Sequence, residues 1–127
     1  MSVIKDYLLN TKKHSDEFGE FTIVLLQNGA FFEVYGLKDE QDEIHRSKLM
    51  EFSRICELNI VERKLAGDKQ MYIDGLKVVN AGFKEHQLEK YVTKLQNEGY
   101  TIVVYEQDEQ CPNTTRSITG IYSPGTY

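Results

Sequence analysis

Apolar and polar positions along the chain alternate between two spacings. Val3, Ile4, Tyr7 and Leu8 make a short helical stripe before polar residues take over, which predicts a first helix from a Ser2 cap to about Asp16. "FTIVLLQ", Phe21 to Gln27, is apolar and β-branched almost throughout, as expected of a strand covered on both faces. A second strand, Ala30 to Tyr35, follows after only Asn28 and Gly29. That pair predicts a hairpin, because both residues tolerate the positive φ of a type I′ turn. Side chains alternate along a strand, so Ala30, Phe32 and Val34 share one face while Phe31, Glu33 and Tyr35 share the other.

Beyond the hairpin, Asp42 is placed to cap a second helix from Glu43 to Leu58, carrying Ile44, Met50, Phe52, Ile55 and Cys56. Short strands are predicted at "NIVERK", "MYIDG" and "KVVNAG", separated by "LAGDK" and a turn at Gly75. Leu88, Tyr91, Val92 and Leu95 fall at i, i+3, i+4 and i+7, and Gly99 sits where a C-terminal cap belongs, so a third helix is predicted there. "YTIVVYEQ" reads as a buried strand and "RSITGIYS" as another, with "DEQCPNTT" as the loop between them and "SPGTY" as a closing turn. With no internal repeat or linker, residues 1–127 read as a single domain. Its expected class is α/β (α+β), a mixed β-sheet flanked by about three helices.

Composition narrows the functional classes. The 127 residues are 40% hydrophobic and 28% charged, ordinary for a globular domain with one core. No apolar run reaches the roughly 20 residues that span a bilayer, and the N-terminus lacks the charge order of a secretory signal, so an intracellular setting without a membrane partner is expected. Cys56 and Cys111 have no CxxC partner and read as free structural thiols. A net charge of −5, from 15 basic and 20 acidic residues, argues against the domain holding nucleic acid alone, because such affinity comes mostly from Lys and Arg at phosphates.

Signs of catalysis are few. His14, His45 and His86 lie far apart with no metal-ligand spacing, and read as surface or capping residues. There is no Gly-rich phosphate loop and no GxSxG turn. Glu33 has no second carboxylate or histidine in a fixed relation to it, so a general-acid role has no partner. On periodicity alone, the two phenylalanines are core residues and Glu33 is the solvated position of their strand. Yet if Phe32 takes the core face, Phe31 lies with Glu33 and Tyr35 on a face that is partly covered or exposed. An exposed Phe at a hairpin is a sticky feature that calls for a partner.

"GAFFEVYG" resembles the GDFYExF segment of the MutS family of DNA mismatch repair proteins, whose mismatch-reading element is Phe-x-Glu; here it is Phe31, Phe32, Glu33. "NAGFKEHQLEKYVTKLQNEGYTIVVYEQ", residues 80 to 107, is similar to the family's AGVPYH-like loop, helix and GY(K)VAxxEQ strand. The spacing of Ala81, Gly82, His86, Tyr91, Gly99, Tyr100, Glu106 and Gln107 is kept. "RSITGIYSPGTY" resembles the stretch that ends the family's N-terminal domain, and "LNIVERK" puts Arg63 in a basic position. Residues 36 to 78 match least well, and Ala30, Phe32 and Phe83-Lys84-Glu85 depart from the family's Asp, Tyr and V-P-Y.

The resemblance implies an N-terminal mismatch-recognition domain cut from a longer protein. Phe31 would enter the minor groove and stack on a mispaired or unpaired base, and Glu33 would hydrogen-bond to it. A protonated Glu33 could donate to a purine acceptor, and an ionised one could accept from a thymine imino group. Arg63 and Lys84 are candidate DNA backbone contacts. The domain itself would be non-catalytic and need no cofactor; ATP and magnesium, and a dimer partner, would engage other parts of the full-length protein. Mismatched double-stranded DNA is the implied partner, and the implied location is at DNA inside the cell. The competing reading is a protein-interaction or structural domain of a MutS-like protein that does not read mismatches.

Overall fold

In the computed structural model, which describes residues 3–108 and 116–124, helix α1 (Val3–Phe18) leads into strands β1 (Thr22–Asn28), β2 (Phe31–Lys38) and β3 (Ile44–His45). Helix α2 (Leu49–Cys56), strands β4 (Val61–Glu62), β5 (Tyr72–Ile73) and β6 (Leu76–Lys84), helix α3 (Leu88–Asn97) and strands β7 (Thr101–Gln107) and β8 (Arg116–Tyr122) complete the order. All eight strands join one sheet, β4-β6-β2-β1-β7-β8, with β3 on β2 and β5 on β6. β1 and β7 run parallel and the other pairs antiparallel, so the sheet is mixed, as expected. The expected Ser2 cap, Cys111, most of the "DEQCPNTT" loop and the end of the closing turn lie outside the described residues.

Helices cover both faces of this sheet. On one side, Phe32 and Phe83 are neighbours across β2 and β6, with ring centroids 6.0 Å apart. Phe83 also meets Phe52 of α2 at 6.3 Å and stacks on Tyr91 of α3 at 4.5 Å. Burying such a side chain contributes roughly 1.5–3 kcal/mol. On the other side, Tyr7 of α1 donates its hydroxyl to the carbonyl of Val24 at 2.8 Å and sets its ring edge-on to Tyr35 at 5.3 Å. Burial pushes the Tyr7 hydroxyl above its ordinary range, so it remains a donor.

Three expectations are corrected. The second helix does not start at Glu43 under an Asp42 cap: Ile44 and His45 pair with Lys38 and Leu37 as β3, and α2 begins only at Leu49. Asp39 turns the chain back by accepting the amides of Gln41 and Glu43 at 2.9 and 3.0 Å. Gly36 then leaves room for Ile44, whose Cγ2 would lie 2.7 Å from any Cβ at that position. Cross-strand pairing thus overrides a weak helical pattern.

The hairpin turn is the second correction. Asn28 pairs with Phe31, so the loop is Gly29 and Ala30, not Asn28 and Gly29. Only Gly29 takes a positive φ (63°), the pattern of a II′ turn. The I′ pattern expected there occurs instead at Asp74 and Gly75, with φ of 53° and 79°, between the paired Ile73 and Leu76.

Third, His14 is not a surface residue. It is buried, with Nε2 2.7 Å from the Tyr105 hydroxyl and Nδ1 3.1 Å from Glu17, and so ties α1 to β7. His45 is half-exposed and lies 2.7 Å from Asp39, whose carboxyl it holds below the usual carboxylate range. Cys56 is a buried free thiol, which burial pushes up to about 12.

Rings on the two faces of the sheet should respond differently to truncation. Phe83→Ala is expected to lower the unfolding free energy by about 3–5 kcal/mol in urea titration. Phe31→Ala, which removes a ring that is 44% exposed, is expected to cost under about 1 kcal/mol in the same assay.

Candidate nucleic-acid interface

Strand β2 begins at the hairpin end of the sheet, and its first residue stands out. Phe31 is paired with Asn28 of β1 on one side and with Lys84 of β6 on the other. Its ring is 44% exposed, whereas Phe32, the next residue, is 1% exposed. One strand step reverses the side chain, so the adjacent rings have opposite surroundings.

Phe31, Glu33 and Tyr35 share the α1 face, joined by Asn28 from β1 and by Lys84, Gly82 and Asn80 from β6. Glu33 is the hub of this group. Its Oε1 accepts the Tyr35 hydroxyl at 2.5 Å and the Asn28 amide at 3.2 Å, and its Oε2 accepts the Asn80 amide at 2.9 Å. Arg63 Nη1 stands 3.6 Å from Oε1, with the guanidinium 5.8 Å from the centre of the Tyr35 ring. Only 13% of the Glu33 side chain is left exposed. The Tyr35 hydroxyl is pushed above its usual range, first by burial and then by the Glu33 charge, and stays a donor.

Gly82 makes this arrangement possible. It faces Glu33 across β2 and β6, and a Cβ there would lie 2.5 Å from the Phe32 carbonyl oxygen and 2.9 Å from Glu33 Cγ.

The hairpin itself is braced from below. Gln107 Oε1 accepts the Gly29 amide at 2.6 Å, and the Gln107 amide returns a bond to Gln27 Oε1 at 2.8 Å. Arg116 Nε donates to the Gln27 carbonyl at 2.9 Å, and Gln27 Nε2 donates to Glu85 at 2.8 Å. Beside Glu33, Asn28, Tyr35, Arg63, Lys64 and Arg116 line a groove with Val3 and Ile4 at the start of α1.

Of the residues singled out from sequence, Phe31 and Glu33 lie together on one face. Lys84 is exposed directly across from Phe31, and Arg63 is half-buried against Glu33. Sequence reading missed Asn28 as more than a turn residue, Tyr35 as a partner of Glu33, Asn80 as another, and the place of Gly82, noted only in the family resemblance, directly opposite Glu33. Alternation along β2 carried a signal for Tyr35. Asn80 and Gly82, some fifty positions away, carried none until β6 was paired with β2. Asp39, Glu43 and His45 also gather, with potential ligand atoms all within 4.8 Å of one another, but Asp39 already accepts two loop amides and contacts His45, so the cluster has a structural role in the β2–β3 turn. Among the described residues, no helix is long and apolar enough to cross a membrane.

Comparison with known proteins settles the family. The family described as MutS domain I matches residues 7–127. The chain belongs to that family. It is also similar to a "putative DNA mismatch repair protein mutS homolog" of Acanthamoeba polyphaga mimivirus, at 27% identity over 123 residues. That match covers 95% of the chain and only 10% of the viral protein, so this MutS-type domain spans about a tenth of the relative's length. Membership makes it a MutS-family domain, as the Phe31-Phe32-Glu33 and residue 80 to 107 segments implied.

Gly82→Ala should force β2 and β6 apart where Glu33 sits. The expected loss is about 1–3 kcal/mol of stability in thermal or urea unfolding, the range for an overpacked interior position. An unchanged midpoint would show that Glu33 does not need the space.

Proposed function

We propose that this MutS-type domain reads mispaired or unpaired bases in double-stranded DNA, as the mismatch-recognition part of a larger ATP-dependent repair protein. The observation that carries the reading is the half-exposed Phe31 ring at the hairpin end, with the Glu33 carboxylate two positions on and on the same face. In this reading Phe31 is the minor-groove wedge and Glu33 bonds to the base it unstacks. Unstacking costs a few kcal/mol per step and kinks the duplex by about 20–90°, so weakly paired sites yield first. Discrimination then rests on how easily the DNA deforms.

Lys84, exposed beside Phe31, is suited to a phosphate, and Arg63 with Lys64 and Arg116 offers further cations along the adjoining groove. The overall charge of −5 means that these contacts position the domain, while most of the affinity comes from the rest of the protein. We assign no catalytic step and no cofactor to the domain. ATP and magnesium, and the dimer partner, belong to other parts of the full-length protein, which acts at DNA inside the cell. A second reading, protein contact, draws on Ile118, Ile121 and Tyr122, which stay exposed on the edge strand β8.

Both readings meet in one experiment on the longest protein that carries the domain. Phe31→Ala should remove the preference for a mismatched over a matched duplex, a loss of about 1–3 kcal/mol as for other base–aromatic stacks. An unchanged preference would favour protein contact. Glu33→Gln should retain much of the binding to mispaired DNA while narrowing its margin over matched duplex. Equal loss on both duplexes would count against a base-reading Glu33.

A further inference from the structure

We infer that the trough along the first turns of α1 is a nucleotide-binding site, which takes a base in the cavity between helix and sheet and a phosphate in the groove that continues from it. The ligand class is a nucleoside monophosphate, either free or as one unit of a strand. The site is separate from Phe31 and Glu33 and does not depend on their reading a base.

Arg116 is the group that points to a ligand. It pairs with Gln107 across β7 and β8, and its side chain reaches over β7 to β1, where Nε donates to the Gln27 carbonyl at 2.9 Å. Nη2 lies 3.5 Å from Gln107 Oε1. Nη1 is buried and has no hydrogen-bond partner among the described residues. A guanidinium keeps its charge and offers only donors, and a buried N–H left unpaired costs about 1–3 kcal/mol or more. Such an orphan requires an acceptor that the protein itself does not supply.

Arg116 and Val3 border two hollows that meet at them. One is a cavity of about 220 Å³ between α1 and the sheet, lined by Asp6, Tyr7 and Asn10 of the helix, Val24 and Leu26 of β1 and Tyr105 of β7. It is smaller than the roughly 300 Å³ at which pockets for drug-sized ligands begin, and has room for one ring system. The Tyr105 hydroxyl is already engaged by His14 at 2.7 Å, which leaves Asp6, Asn10 and Arg116 as the polar edges of an otherwise apolar space. The other hollow is the groove of about 460 Å³ that holds Arg63 and Lys64. Arg63 stands 3.6 Å from Glu33 and Lys64 3.5 Å from Glu62, both beyond ordinary hydrogen-bond length, so each cation can turn to an incoming anion.

The two hollows together define the ligand. A flat heterocycle packs on Tyr7, Val24 and Leu26, accepts from Arg116 Nη1 through a ring carbonyl or nitrogen, and meets in Asn10 a side chain that both donates and accepts. An anion joined to that ring by a short linker falls on Arg63 and Lys64. A bare phosphate would leave the cavity empty, and a purely apolar ligand would leave Nη1 unpaired. A nucleotide satisfies both.

The core closes within the chain, so the chain itself serves for the test, away from any nucleotide site elsewhere in a longer protein. Thymidine monophosphate, thymidine and deoxyribose phosphate are titrated separately and followed by NMR. The monophosphate should bind about tenfold more tightly than either fragment, the scale of one charge-assisted hydrogen bond, and should move the Arg116 guanidinium and Asn10 amide signals. Lys64→Ala, at an exposed position, should weaken the monophosphate about threefold, within the range of an exposed ion pair, and leave thymidine unchanged. Asn10→Phe, at a half-buried helix position, should remove binding of thymidine and monophosphate alike while the unfolding midpoint stays in place. Arg116→Lys, which keeps the charge and gives up Nη1, should do the same to thymidine. Equal binding of the monophosphate and deoxyribose phosphate would reduce the site to a phosphate contact and overturn the inference. So would a titration that moves no signal at Arg116 or Asn10, or a Lys64→Ala chain that loses thymidine as well. A single strand of thymidines that displaces the monophosphate would make the natural ligand a unit of DNA, and failure to displace it would make the ligand a free nucleotide; the site stands in either case.

Discussion

Strand β2 is held on both edges, by β1 and β6, and this double pairing is the constraint from which the candidate interface follows. A strand hydrogen-bonded on both sides cannot slip by a residue without exchanging its two faces. Phe32 and Val34 are each 1% exposed against the α2 and α3 side, and that burial fixes the register. Phe31 and Glu33 are then committed to the opposite face, whatever their own preferences. The apolar cost of leaving Phe31 half-exposed is thus borne by a strand whose other face is fully used.

The same pairing explains how an acidic group comes to sit in the sheet. Glu33 is opposite Gly82, and its carboxylate finds donors on three adjacent strands. A partly buried carboxylate without partners would cost several times what one hydrogen bond contributes. With Tyr35, Asn28, Asn80 and Arg63 around it, the group is satisfied, and β4–β5 chemistry (Arg63 lies just after β4) is drawn toward the hairpin.

Some of this was legible in the sequence because it is local. Alternation over Phe31 to Tyr35 gave the facing of the two functional candidates, and the spacing of Leu88, Tyr91, Val92 and Leu95 gave α3. The hairpin was found but its turn was displaced by one residue, since Gly29 alone takes the positive φ and Asn28 remains in the strand. That single step turned Asn28 from a loop residue into a partner of Glu33. What could not be read was decided by distant pairing. Asn80 meets Glu33 only because β6 lies beside β2, and Ile44 joins the sheet only because Gly36 leaves it room. The family resemblance supplied roles for Phe31 and Glu33, but not the residues that hold Glu33.

The bracing of the hairpin tip has a mechanical side. Gly29 is tied to Gln107, Gln107 to Gln27, and Gln27 to both Arg116 and Glu85, so the turn is fastened to β7, to β8 and to the segment after β6. Force applied to the Phe31 ring along the strand would be shared by the breadth of the sheet, and would not simply bend a two-stranded finger. A lever anchored in this way recoils little under load, which is what any residue needs if it is to displace something stiffer than itself.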